Sequence, residues 1–134
     1  MKRLFLDTNF VIDFLLRDEF KEVSMRFLEE GTKRDCRFLI SYLSVANFAY
    51  VARRLSQNEL YHNLSMINEL FDIVPNTQIQ IKKAIAMKAK DFEDALQYQA
   101  ALAADCDCIV TRNGKDFMFS DIPIISASEY LQRL

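Results

Sequence analysis

Leu4-Phe5-Leu6-Asp7-Thr8-Asn9 and Cys108-Ile109-Val110-Thr111-Arg112-Asn113-Gly114-Lys115-Asp116 decide how this chain folds. In each, a short apolar run stops at a polar group. That is the pattern of a strand buried on both faces whose carboxyl end opens into a turn. Phe38 to Ile40, Ile73 to Val74 and Pro123 to Ile125 repeat the pattern and give five expected strands.

The intervening segments have helical period. Phe10, Phe14 and Leu15 start a first helix after Thr8-Asn9, and Val23, Phe27 and Leu28 mark a second that Gly31 is expected to stop. Leu43 to Leu55, Leu60 to Phe71, Ile81 to Met87, Phe92 to Ala104 and Ser126 to Leu134 continue the series. Strands alternating with single or paired helices specify an α/β domain with a parallel sheet. No internal repeat, low-complexity tract or linker interrupts the order, so residues 1–134 read as one domain.

Composition narrows the chemistry. With 51% hydrophobic and 27% charged residues but only 2 Gly and 2 Pro, the chain is neither disordered nor a turn-dense β protein. Gly31 and Gly114 stand too far apart for a glycine-rich phosphate cradle. The balance of 17 basic against 19 acidic residues, a net charge of −2, argues against binding nucleic acid or membrane by bulk charge. No apolar stretch approaches the roughly 20 residues of a membrane-spanning helix, so no membrane association is expected.

Cys36, Cys106 and Cys108 do not make a disulfide framework, and no secretory signal is evident, which points to a reducing, cytoplasmic setting. Cys106-Asp107-Cys108 is too small a ligand set for zinc, and the lone His62 sits in a polar segment without a nucleophile beside it. Phe10, Phe14, Phe20, Phe27, Phe48, Tyr50 and Tyr61 belong either to the core or to a helix surface used in dimerisation.

In open parallel sheets, ligands bind beyond the carboxyl ends of the strands. Asp7 closes the first strand, and Asp116 follows the fourth, so the two can converge. The competing reading makes Asp7 or Thr8 a helix cap and Asp116 part of a solvated turn. Asp94 shares a helical stripe with Tyr98, Ala101 and Leu102, which turns its carboxylate inward, while Asp91 can cap the same helix. Three acids meeting in a partly dry cleft require a cation, and oxygen-only ligands select Mg²⁺ or Mn²⁺. Such a site suits hydrolysis of a phosphodiester.

Asp7-Thr8-Asn9, Asp91-Phe92-Glu93-Asp94-Ala95 and Thr111 to Phe117, in this order, resemble the PIN-domain nucleases, in particular small bacterial VapC-like ribonucleases. The resemblance spans nearly the whole chain. It implies a PIN-like, Rossmann-like three-layer fold with a central parallel sheet flanked by helices. It also implies endoribonuclease activity dependent on Mg²⁺ or Mn²⁺, with Asp7, Asp94 and Asp116 as catalytic metal ligands. Asn9 and Thr111 become supporting polar residues, and Arg112 and Lys115 stand beside the site as candidate RNA contacts. An antitoxin protein and a homodimer are the implied partners.

One position departs from the family. Its usual Glu in the helix after the second strand is here Asn47, which offers a carbonyl oxygen but neither charge nor basicity. A degenerate PIN module that binds RNA or a protein without cutting is therefore the competing expectation. A phosphoacceptor receiver domain has a similar element order, but Val74-Pro75-Asn76 lacks its acceptor Asp.

Overall fold

The computed structural model describes residues 2–134. Five strands, β1 (Arg3–Leu6), β2 (Arg37–Ser41), β3 (Asp72–Val74), β4 (Cys108–Val110) and β5 (Ile124–Ile125), form one parallel sheet in the order β3-β2-β1-β4-β5. Seven α-helices connect and cover them: α1 (Thr8–Leu16), α2 (Asp18–Lys33), α3 (Tyr42–Val51), α4 (Gln57–Leu70), α5 (Gln78–Met87), α6 (Phe92–Ala103) and α7 (Ala127–Gln132). Short 3₁₀ turns occupy Ala52–Arg54 and Gly114–Phe117.

The two-residue period of the strands divides the core into two layers. Leu4, Leu6, Phe38, Ile40 and Val110 pack with residues of α1, α2, α3 and α4 on one face. Phe5, Leu39 and Ile109 pack on the other, against Tyr98, Ala100 and Ala101 of α6 and against Phe117. Small side chains let α6 lie close to the sheet, and α5 packs against α6, where Ala84 meets Ala95 and Leu96.

The chain runs outward from β1 through β2 to β3, then crosses to β4 on the other side of β1. The order of strands thus reverses between β1 and β4, the place where open α/β sheets form their binding crevice. Leu6 pairs with Val110, so Asp7 and Thr111 emerge side by side at that point.

Two expectations are corrected. Gly31 does not stop α2, which runs on to Lys33. The stop is Asp35, with φ of 59°, and Lys88 and Asp105 turn in the same left-handed way after α5 and α6, at φ of 50° and 54°. Gly31 serves packing instead, since a Cβ there would lie 2.6 Å from Phe38 Cζ. Leu102 is 39% exposed, so the inward stripe of α6 ends with Tyr98 and Ala101.

Phe10, Phe14, Phe27 and Phe48 are buried, whereas Tyr50 and Tyr61 are exposed, which divides the aromatics between core and surface. His62 is exposed. Burial pushes the Cys106 and Cys108 thiols up to about 11, away from reactive thiolate chemistry. Among the described residues, no helix is long and apolar enough to cross a membrane.

Candidate metal and nucleic-acid site

Asp7 occupies the N-cap position of α1, but its side chain makes no capping bond. Its backbone N–H donates to Val110 O at 3.1 Å, and its Oδ2 accepts from the Thr111 hydroxyl at 3.0 Å. The Thr111 oxygen in turn accepts from the Asn113 N–H at 3.0 Å. Asp7 is only 6% exposed. Burial raises its pKa, with Asp116 adding to the rise and hydrogen bonding, from Thr111 foremost, opposing it.

Asp94 is the third residue of α6. Asp91 caps that helix by accepting the Asp94 N–H at 3.2 Å, which leaves the Asp94 carboxyl free to face the crevice. Asp91 thus takes the capping role at the start of α6. Burial first, then the charges of Asp91, Asp7, Asp116 and Glu93, push Asp94 up to about 7. Asp116 is exposed on the 3₁₀ turn after β4, where its N–H donates to Asn113 O at 2.9 Å.

These side chains line a cleft of about 400 Å³. Asp7, Asp91, Glu93, Asp94 and Asp116 contribute five carboxyl groups, and no Lys or Arg lines it. Asn9 and Asn47 also lie on its wall, so five sequence candidates are brought together: Asp7, Asn9, Asn47, Asp94 and Asp116. Thr111 stands behind Asp7, while Lys115 lines an adjoining hollow. Among the described residues, no three His, Cys, Asp or Glu side chains close into a metal-binding cage.

Arg112 lines neither hollow. Its Nε and Nη2 donate to the two oxygens of Asp13 at 2.6 and 3.1 Å, and its guanidinium lies 4.0 Å from the Phe20 ring centroid. Asp13, whose side chain is 4% exposed, also accepts from Arg17 Nη1 at 2.9 Å. The expectation of Arg112 as an RNA contact thus meets a guanidinium already held within the protein. The signal for Asp13 was present in Phe10-Val11-Ile12-Asp13-Phe14-Leu15-Leu16, because an acid inside an apolar helix needs a partner.

Gln97, one turn beyond Asp94, is a second residue whose role the local sequence does not signal. It is 2% exposed and ties the floor of the cleft together. Its Nε2 donates to the hydroxyls of Thr8 and Ser44, each at 2.8 Å, and its Oε1 accepts from Ser41 at 2.5 Å. Thr8 and Ser44 are themselves 2.7 Å apart. Gln97 thereby joins α6 to α1, to α3 and to the end of β2, and it holds the residue next to Asp7.

Similarity to known proteins now bears on this geometry. The PIN domain profile matches residues 3–115, which covers most of the chain and ends one residue before Asp116. The chain belongs to the PIN domain family. Ribonuclease VapC1 of Aquifex aeolicus is 24% identical over 141 aligned positions, covering 98% of this chain and 95% of that protein. Two solved structures share the PIN fold at low identity. VapBC2 from Rickettsia felis, bound to a DNA fragment from its promoter, has a TM-score of 0.74 at 16% identity, covering 92% of this chain and 97% of that one. VapBC-1 from nontypeable Haemophilus influenzae has a TM-score of 0.72 at 14% identity, covering 94% and 98%.

Proposed function

We propose that this PIN domain is an endoribonuclease dependent on Mg²⁺ or Mn²⁺, and the toxin of a toxin–antitoxin pair. The observation that carries the reading is the acid cleft at the β1/β4 switch point. Five carboxyl groups line it without a basic residue, and their mutual repulsion favours a bound cation. The donors are all hard oxygens, which fits Mg²⁺ or Mn²⁺. An open arrangement suits the chemistry as well, because Mg²⁺ keeps several waters and also takes substrate phosphate as a ligand.

In this reading Asp7, Asp94 and Asp116 hold the ion, which supplies an acidified water and positive charge for the phosphoryl group when bound. The Thr111 hydroxyl fixes one oxygen of Asp7 and leaves the other for the site. Asn9 and Asn47 offer neutral polar groups on the wall of the cleft, and Lys115 gives a positive charge for an RNA phosphate beside it. The similarity to Ribonuclease VapC1 supports RNA as the substrate. The VapBC structures among its fold relatives support an antitoxin partner. We extend the proposal to a homodimer acting in the cytoplasm.

The test is RNA cleavage by the purified protein with Mg²⁺ or Mn²⁺, repeated with EDTA and with Asp7→Asn and Asp94→Asn. Cleavage that survives chelation or either substitution overturns the proposal.

Asn47 favours a second reading, a module that binds RNA or a protein without cutting it. The cleft has a neutral amide where the family commonly has an acid. If this is correct, Asn47→Glu creates metal-dependent cleavage that the natural chain lacks. Equal cleavage by both chains rejects it.

A further inference from the structure

Beside the acid cleft lies a second hollow of about 560 Å³ that shares Asp91, Asp94 and Asp116 with it. Its outer walls have a different chemistry. Lys90 and Lys115 bring positive charge, and Met118 and Phe119 bring apolar surface. Met118 is 84% exposed and follows closely on the turn that carries Asp116. Core packing gives no reason for an uncovered thioether there.

Phe119 is 37% exposed and held from behind. Its ring meets those of Tyr98 and Phe117 edge-on, at centroid distances of 5.3 and 5.9 Å. Both supporting rings are buried, and the Tyr98 hydroxyl accepts the Asp121 N–H at 3.2 Å. The ring is therefore a fixed platform at the edge of the acid site, with little side-chain freedom left to lose on binding.

We propose that this hollow is a subsite for one nucleotide of single-stranded RNA adjoining the scissile phosphate. The base lies on Phe119 with Met118 along its edge, and the flanking phosphates meet Lys90 and Lys115. The inference rests on the nuclease reading and deepens it. A splayed base stacked on an aromatic ring, with its backbone tracked by lysines, is the usual physics of single-strand recognition. Paired bases of an A-form duplex stay in their stack and cannot reach such a platform. The charge pattern selects the same occupant, since Lys90 and Lys115 attract the phosphates that the neighbouring carboxylates repel. Stacking carries little base preference, so the subsite sets strandedness rather than sequence.

The test measures binding of a short, fluorescein-labelled single-stranded RNA of mixed sequence by anisotropy. The full chain is used with Mg²⁺, carrying Asp7→Asn to suppress cutting, because Asp7 lies outside this hollow. Phe119→Ala raises Kd about tenfold or more, the usual scale for removal of a base stack. Met118→Ala raises it less, and its exposure keeps that variant folded. The double replacement of Lys90 and Lys115 by Ala lowers the slope of log Kd against log salt by about 0.7 for each phosphate that the lysines no longer neutralise.

The chain has no Trp, so Phe119→Trp adds a single reporter that retains affinity and is quenched by single-stranded RNA. Unchanged Kd in the Met118 and Phe119 variants, or equal binding of matched duplex, overturns the subsite. So does weakened association with a protein partner while RNA affinity stays constant. Metal-dependent cleavage together with variant-insensitive binding overturns the subsite alone. Variant-sensitive binding, with no metal-dependent cleavage by the natural chain carrying Asp7, supports the subsite and overturns the nuclease reading.

Discussion

Asp13 and Arg112 form a two-point ion pair between α1 and the segment after β4, with N–O distances of 2.6 and 3.1 Å. Arg112 lies between Thr111, which holds Asp7, and Asn113, whose carbonyl holds the turn bearing Asp116. One buried carboxylate thus anchors the segment that links two of the three proposed ligands.

Removing this anchor leaves Asp13 with Arg17 alone. Breaking a fully buried pair costs about 3–5 kcal/mol, but the Arg112 side chain is 38% exposed, so Arg112→Ala is expected to cost about 2 kcal/mol. Arg112→Lys recovers only part of this, because an ammonium cannot span both oxygens. Urea denaturation measures both variants. In the nuclease account, cleavage falls more in kcat than in KM, because the loss is in positioning.

Gln97→Leu keeps the side-chain volume roughly constant and takes the shared partner from three hydroxyls beneath the cleft. Unsatisfied buried groups cost about 1–3 kcal/mol each, and the contact between Thr8 and Ser44 offsets part of that. A net loss of about 2–3 kcal/mol by urea denaturation is expected. A variant as stable as the natural chain contradicts the network.

Asp7 and Asp94 give a pH dependence of definite sign. Both have raised pKa values when folded, Asp94 at about 7 chiefly through burial, so the folded protein keeps protons that the unfolded chain has released. Their contribution to stability is present below the unfolded value of 3.8 and is lost as pH rises through the raised folded values, which for Asp94 is about 7. Without metal, the difference in Tm between Asp94→Asn and the natural chain should therefore grow in the variant's favour from about pH 5 to about pH 8. Added Mn²⁺ should stabilise the natural chain more at the higher pH, where fewer protons compete for the carboxylates. A Tm difference independent of pH contradicts the assignment.

Gly31 is a case where magnitudes decide the sign. Helix propensity favours Ala over Gly by about 0.5–1 kcal/mol within a helix. A Cβ at Gly31 meets Phe38 at 2.6 Å, and that ring is buried against Phe27 at 5.6 Å between centroids. Overpacking of this kind costs about 1–3 kcal/mol, so Gly31→Ala is expected to lower Tm.

The strands were legible because burial on both faces leaves an uninterrupted apolar run with a polar residue at its end, as in Leu6-Asp7 and Val110-Thr111. The same rule gave the switch point, and the helical period of α6 gave Asp94. Gly31 resembles a helix stop in sequence because a helix stop and a close packing contact both select glycine, and local sequence does not distinguish them. Leu102 was placed inward because the apolar stripe continues in sequence past the part of α6 that touches the sheet. The ion pair of Arg112 is not legible in sequence because its partner, Asp13, lies 99 positions away in the chain. Only tertiary structure brings them together, and Gln97 was hidden for the same reason.

The central claim is that Asp7, Asp94 and Asp116 share one divalent ion. Crystals grown with Mn²⁺ and read by anomalous scattering test it most directly. The account predicts a peak within coordination distance of all three carboxylates, abolished in Asp94→Asn. A peak elsewhere, or none at saturating Mn²⁺ with the three side chains ordered, contradicts it.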